Sequence, residues 1–311
     1  GAARTVAGLR PNPQVQVQVE NVGGSGLYRG TQSAETTTGL ALPIELGGKR
    51  SARIAVADSR RDRARIEAAI VEADLRERVT MAYVAAVSAE RRVAVARQLA
   101  EFANRGFSAA STRVTAGAAS PIEQQRADVE RVNANVAFDR AVREAVVAKE
   151  NLARLIGEPI AGELDVAWFD RVGTYGPAVP VSAQGTLIIA AAEADVTTAD
   201  ALVRLARSQR VPDVTLNAGA RRLSASGDTA AIFGLSIPFP LFNNGRAAVS
   251  QAESERLQVD ARRRVTLLET EQTIASVQAE LANAAASARA AGGPALSAAT
   301  EAARIARIGY A

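Results

Sequence analysis

Any chemistry in this 311-residue sequence must come from carboxylates, guanidinium groups, hydroxyls and two lysine amines, because it holds no cysteine, no histidine and a single methionine. That excludes a Ser-His-Asp triad, a thiolate nucleophile, a disulfide framework and imidazole or thiolate metal sites. With no nucleophile–base pair and no phosphate loop, the sequence reads as a non-enzyme that needs no cofactor. The basic excess, 37 Lys and Arg against 33 Asp and Glu, is nearly all arginine, Lys49 and Lys149 being the only lysines. The arginines interleave with Asp and Glu at helical spacing, as in 60–63 and 72–78, which describes solvated helix faces. Only 4% of residues are aromatic, too few for base stacking, so no nucleic-acid partner is expected. One compact constellation remains. Arg113, Val114 and Gly117 precede Ser120-Pro121-Ile122-Glu123, which has the spacing of a capping box: serine as N-cap, proline at the first helical position, glutamate three residues past the cap.

That constellation sits between two helices. Residues 48 to 113 contain no proline and carry alanine among Ile66, Ile70, Leu75, Val79, Val84, Val87, Val93 and Leu99, the pattern of a helix packed closely against neighbours. At ~1.5 Å per residue such a helix reaches about 100 Å, too long for the interior of a globule. The second helix runs from the capping box to Ile156-Gly157. Folded back antiparallel, it covers only the distal part of the first.

Upstream, Gln14 to Glu20 alternates Gln-Val without error, placing Val15, Val17 and Val19 on one side of a strand and the glutamines on the other. A Gly/Ser-rich loop, 21–33, leads to a second strand over Thr36 to Ile44. Pro43, Gly47 and Gly48 are then read as the corner that turns strand into helix. The whole unit recurs after 195 to 199 residues. Val211-Pro212-Asp213-Val214 echoes Asn12-Pro13-Gln14-Val15, Gly234-Leu235-Ser236-Ile237-Pro238 echoes Gly39-Leu40-Ala41-Leu42-Pro43, and Asn244-Gly245-Arg246 stands where Gly47-Gly48-Lys49 stood. A period this long marks duplication of a strand-strand-long-helix unit; Pro238 and Gly245 become the second corner.

The expected organisation is therefore the end of a truncated helix at 1–10, a first hairpin of strands at 11–47 and a long helical hairpin at 48–156. A linker follows at 157–184, with Trp168 and a short strand near 164–169. A helix at 185–208, with Leu187, Ala191, Ala194, Leu202 and Leu205 as its apolar positions, leads to a second strand hairpin at 211–244 and a second long helix at 245–311, kinked at Pro294. The duplication implies a longer helix before Gly1 and a return arm after Ala311, so the ends read as trimmed. No run of 18 apolar residues offers a membrane-spanning helix. About four two-faced strands are too few to close a barrel, for which the smallest membrane examples use about eight; oligomerisation must supply the rest. A sandwich with one solvated face is the plainer alternative, and the helices are too long to fold over so small a sheet.

Residues 13–20, Glu35-Thr36-Thr37, Pro43-Ile44-Glu45-Leu46-Gly47-Gly48-Lys49-Arg50, Val211-Pro212-Asp213-Val214 and Ile237-Pro238-Phe239-Pro240-Leu241-Phe242 resemble the TolC-type outer-membrane efflux proteins across essentially the whole chain. Asn21-Val22-Gly23-Gly24-Ser25-Gly26, taken with 45–50, is more particularly similar to the cobalt-zinc-cadmium resistance branch. The resemblance implies a mainly α fold with a small β part. It implies a homotrimer whose twelve strands form a barrel in the outer membrane of a Gram-negative bacterium, with Val15, Val17 and Val19 facing outer-membrane lipid, continued into the periplasm by an α-helical barrel. Its partners would be a periplasmic adaptor protein and an inner-membrane pump of the resistance-nodulation-division type, and its task passive export of heavy-metal cations. It also implies that Arg113, Val114, Gly117, Ser120 and Glu123 form the adaptor-docking tip, with Ala116 departing from the usual valine and Glu123 contributing to a cation-attracting ring of carboxylates. A wall without His or Cys suits a metal duct, since tight ligands slow exit, and suits equally a duct for drugs or other organic solutes. A periplasmic coiled-coil adaptor is the alternative of another class; the duplicated strand hairpins speak against it.

Overall fold

The computed structural model describes residues 1–162, 164–165 and 181–309. The expected strand near 164–169, and Trp168 with it, lie outside the described residues but for Leu164 and Asp165. The elements run α1 (Ala2–Ala7), β1 (Gln14–Glu20), β2 (Glu35–Ile44), α2 (Lys49–Thr115), α3 (Pro121–Ile156), α4 (Leu187–Gln209), β3 (Val214–Leu223), β4 (Thr229–Ser236), α5 (Arg246–Ala290) and α6 (Leu296–Gly309). Helix-strand-strand-helix thus occurs twice, as α1-β1-β2-α2 and α4-β3-β4-α5. The long helices form because alanine and arginine, both strong helix formers, are the commonest residues across them and no proline interrupts them. Where α5 does meet Gly292-Gly293-Pro294, residues Ala291–Ala295 widen into a π turn. Proline has no N–H to give to the preceding turn, and the π turn is how the chain accommodates it before α6.

The chain divides into two compact units, one of Gly1–Ala69 with Val181–Ala275 and the other of Ile70–Pro180 with Ser276–Ala311. The first holds the sheet, four antiparallel strands in the order β1-β2-β3-β4. β2 pairs β3 across the seam between the two repeats, with Gly39 opposite Gly219. The backbones approach so closely there that a Cβ on Gly219 would lie 2.5 Å from the Thr38 carbonyl oxygen. Beneath the sheet, α4 packs antiparallel to the start of α2, Arg63 Nε meeting Asp195 at 2.9 Å. It also runs antiparallel to α5, Arg207 meeting Glu253 at 2.7 Å and Arg256 pairing with Asp200. With neighbours on more than one side, α4 buries Ile189, Ala191, Ala199, Ala201 and Val203. Of the apolar positions expected from the sequence, Ala191 is buried but Leu187 is exposed. A helix hemmed in on several sides has no one apolar face for a 3.6-residue period to detect.

In the second unit, α3 folds back along α2. The facing pairs Glu90–Lys149, Arg97–Phe138, Phe107–Arg131, Ser111–Gln124 and Arg113–Glu123 step in opposite directions along the two helices at constant register. Along these stretches small and branched side chains are buried, Ala86, Val87 and Ala89 of α2 and Ala141, Ala145 and Leu152 of α3. Alanine at these positions lets the helix backbones approach closely.

Candidate functional site

The sheet carries its information in its two faces. Residues directly opposite in an antiparallel ladder point to the same side, so the register sorts the strands without ambiguity. On one side lie the rows Ile44-Val214, Leu42-Leu216-Leu235, Val15-Leu40-Ala218-Phe233 and Val17-Thr38-Ala220-Ala231. This face is apolar and open: Val15 is 73% exposed, Leu40 56% and Phe233 83%. No helix among the described residues covers it, so the sandwich alternative fails here. Below it Phe239, Leu241 and Phe242 are exposed as well. An uncovered apolar patch of this size is not left to water.

The other face carries Gln14, Gln16 and Gln18 of β1, Thr37 of β2, and Asn217 and Arg221 of β3. Near its loop end Arg221 ties three strands together. Its Nη1 donates to Glu35 at 2.8 Å, its Nη2 to Glu20 at 3.1 Å and its Nε to Thr37 Oγ1 at 3.0 Å. Glu20 and Glu35 stand directly opposite each other. Two carboxylates at that spacing repel unless a cation bridges them, and the guanidinium fork does so. Among the described residues the outer edges of β1 and β4 have no partner strand.

At the opposite end of the strands the chain turns into α2. Gly47 and Gly48 both take positive φ, 70° and 73°, and Gly47 fits against Val211 and Ser208 with no room for a side chain. Gly245, φ 74°, makes the corresponding turn into α5. Pro43 lies inside β2, paired with Thr215, two residues beyond the last rung shared with β1 at Ala41. A missing N–H is tolerated there because no neighbouring strand asks for it. Pro238 follows the end of β4 at Ser236, so the two prolines, alike in the repeat, stand in different local structure. An ion-pair network closes the first corner: Lys49 Nζ to Asp213 at 2.6 Å, Arg53 to Glu45, and Arg53 also to the carbonyls of Ala7 and Leu9. The Arg53 hydrogen bond holds the Glu45 carboxyl below its ordinary value. For Asp213, burial pushes upward, but hydrogen bonds from Lys49 and the Leu46 amide and the charges of Lys49 and Arg53 outweigh it and leave that carboxyl lowered too.

The turn between α2 and α3 holds Arg113, Val114, Gly117, Ser120 and Glu123. Gly117, at φ 69°, donates to the Val114 carbonyl at 3.0 Å while the Ala118 amide reaches back to Arg113 at 2.8 Å, the paired bonds of a Schellman stop. Ser120 Oγ accepts from the Ile122 amide and Pro121 takes the first helical position. The reciprocal half of the capping box does not form. Glu123 faces Arg113 instead, at 3.6 Å, because the antiparallel fold-back brings a guanidinium to the carboxylate, an attraction that no spacing within α3 reveals. Ile122 is 57% exposed beside this pair. Among the described residues no three ligating side chains converge on a metal position, and no helix is long and apolar enough to cross a membrane.

A two-faced sheet with open edges among the described residues, built from two copies of a strand pair and joined to helices of 67 and 45 residues, defines the subunit fold of a TolC-type channel. The chain belongs to the outer membrane efflux protein family, whose pattern matches residues 2–158 and 183–311. It is 32% identical over 260 residues to the cobalt-zinc-cadmium resistance protein CzcC of Cupriavidus metallidurans, covering 78% of this chain and 58% of that one. It is 28% identical over 267 residues to the nickel-cobalt-cadmium resistance protein NccC of Alcaligenes xylosoxydans xylosoxydans, covering 81% and 60%. The chain thus spans somewhat under two thirds of the length of these relatives. Among solved structures it superposes on CusC, a transmembrane channel, with a TM-score of 0.72 at 17% identity, covering 98% of this chain and 75% of that one. At that identity the likeness is one of fold.

Proposed function

We propose that three copies of this chain close a twelve-stranded barrel in the outer membrane of a Gram-negative bacterium and export heavy-metal cations passively through it. An inner-membrane pump and a periplasmic adaptor deliver the cargo. The observation that carries this reading is the sheet: one face exposed and apolar, the other carrying glutamine, threonine and charged residues, and both edges unpaired among the described residues. Four strands alone leave those edges and that face exposed to water, whereas a closed ring satisfies the edges and turns the apolar side to acyl chains. Three such sheets give twelve strands, within the range of membrane barrels. The cargo assignment is supported by CzcC and NccC, named for resistance to cobalt, zinc, cadmium and nickel. The chain acts as a conduit and not as an enzyme.

The turn at Arg113–Glu123 is the docking tip in this reading, and Glu123, repeated three times, attracts cations at the entrance. The test is complementation. A strain lacking its own metal-efflux outer-membrane component, given this protein together with its pump and adaptor, regains resistance to cobalt, zinc or cadmium and yields a cross-linked trimer from the outer-membrane fraction. Restored tolerance to organic solutes with unchanged metal sensitivity would reassign the cargo. Recovery of the protein only as a soluble periplasmic monomer would end the channel reading.

A further inference from the structure

The apolar face of the sheet ends in a row that does not belong to it. Counting along the register, the last full rung on the valine side is Val19-Thr36-Arg222-Thr229. Arg222 is exposed and, among the described residues, has no hydrogen-bond or ion-pair partner. Its neighbour Arg221, on the opposite side of the sheet, has three partners. Thr36 and Thr229 flank Arg222 on the adjacent strands, where directly opposed side chains lie about 4.5–5.5 Å apart at Cβ. A guanidinium between two hydroxyls, all three free to bond outward, is a donor set for a phosphate oxygen. Four apolar-face rows separate it from the helix corner. At ~3.4 Å per residue and a strand tilt of about 40°, the eight steps from Ile44 to Thr36 rise roughly 20 Å, most of the ~25 Å apolar band of an outer-membrane barrel. The row therefore falls at the rim of that band, where lipid headgroups sit.

We propose that Arg222, with Thr36 and Thr229, binds the phosphate of an anionic lipid headgroup at the outer rim of the barrel. This deepens the membrane-barrel reading and rests on it. A lipid, not free phosphate, is the ligand because every row inward of the site is made to meet acyl chains, so chain burial and headgroup contact occur together. A basic residue at the surface of an anionic leaflet contributes about fivefold in affinity.

The probe is lipid A carrying its phosphates, added to the detergent-purified full chain and followed by native mass spectrometry, with dephosphorylated lipid A alongside. The wild-type chain retains the phosphorylated form about five- to tenfold better than Arg222→Gln does, Thr36→Val/Thr229→Val gives a smaller loss, and dephosphorylated lipid binds all forms equally. Gln18→Ala, on the opposite face, keeps wild-type retention and controls for folding. Equal retention by Arg222→Gln, in protein that still inserts into lipid vesicles, overturns the headgroup site while leaving the barrel in place. Displacement of the lipid by millimolar inorganic phosphate overturns the choice of a lipid ligand. Wild-type protein that fails to enter vesicles at all overturns the barrel reading and this inference with it.

Discussion

Lys49, the first residue of α2, donates through Nζ to Oδ1 of Asp213 at 2.6 Å, joining the first repeat to the residue that precedes β3 of the second. Asp213 also accepts from the Leu46 amide at 3.1 Å, so one carboxylate gathers the strand-to-helix turn, the helix start and the next strand. Its charge further opposes the positive end of the α2 dipole, where Lys49 alone is unfavourable.

Both carboxyls at this corner, Asp213 and Glu45, titrate below their ordinary values of 3.8 and 4.5. A lowered folded pKa means that the stabilisation is complete above the unfolded value and is lost as pH falls through the folded one. The corner thus holds fully above about pH 4.5 and loosens progressively on further acidification. Asp213→Asn is expected to cost about 1 kcal/mol near neutrality, the scale of a partly exposed pair. Thermal unfolding followed from pH 7 to pH 3 should fall less steeply for Asp213→Asn than for wild type; parallel curves would mean that this carboxylate does not carry the acid sensitivity.

Gly47 and Gly48 share the same left-handed φ but not the same surroundings. A Cβ on Gly47 meets Val211 at 2.6 Å and the Ser208 carbonyl at 2.8 Å, whereas on Gly48 the nearest atom is Ser51 Oγ at 3.3 Å. Gly48→Ala should therefore cost the conformational penalty alone, about 1–2 kcal/mol. Gly47→Ala should add an overpacking cost of about 1–3 kcal/mol. Denaturation midpoints of the two purified variants test the difference, and equal losses would show that the corner relaxes around the added methyl.

How much of this was legible in the sequence follows from how local each determinant is. The Gln-Val alternation gave β1 its bounds, Gln14 to Glu20, because a period of two needs only the chain's own neighbours. Gly117 and Ser120-Pro121 marked the α2–α3 turn for the same reason. The partner of Glu123 was not legible: Arg113 approaches it through the register of two packed helices. Nor was the Arg221–Glu20–Glu35 cross-link, which spans strands from both repeats, or the several-sided burial of α4. Arg222 is the instructive case. Its sequence neighbour is also arginine, and only the pairing of β3 with β2 sends one to each face.

The Arg113–Glu123 pair sets the charge of the proposed docking tip. Both side chains are about half exposed, so each carboxylate is only partly neutralised. Glu123→Gln should lower the preference for cations in planar-bilayer recordings of the reconstituted protein, and Arg113→Gln, which frees the carboxylate, should raise it. The two reversal potentials should move in opposite directions and shrink at high salt, as exposed charge effects do. Shifts of the same sign would remove Glu123 from any role in ion attraction.

The decisive prediction concerns the faces of β1. Val15 and Gln16 are adjacent, both exposed and both on an outer strand of the sheet, so a soluble protein would tolerate arginine about equally at either. If the valine side meets lipid, the two differ. Val15 belongs to the middle row of the apolar face, with Leu40, Ala218 and Phe233, where an arginine costs about 2–4 kcal/mol in a membrane barrel. Gln16 points to the wet side, where it costs little. Val15→Arg should therefore leave the outer-membrane fraction and Gln16→Arg remain in it, judged by extraction of washed membranes with urea. Thermal unfolding in detergent separates insertion from folding, since the detergent belt also disfavours the charge but lets the helices be scored on their own. Identical membrane retention of the two variants would mean that the valines face something other than acyl chains, because no packing within the chain distinguishes positions so alike in exposure.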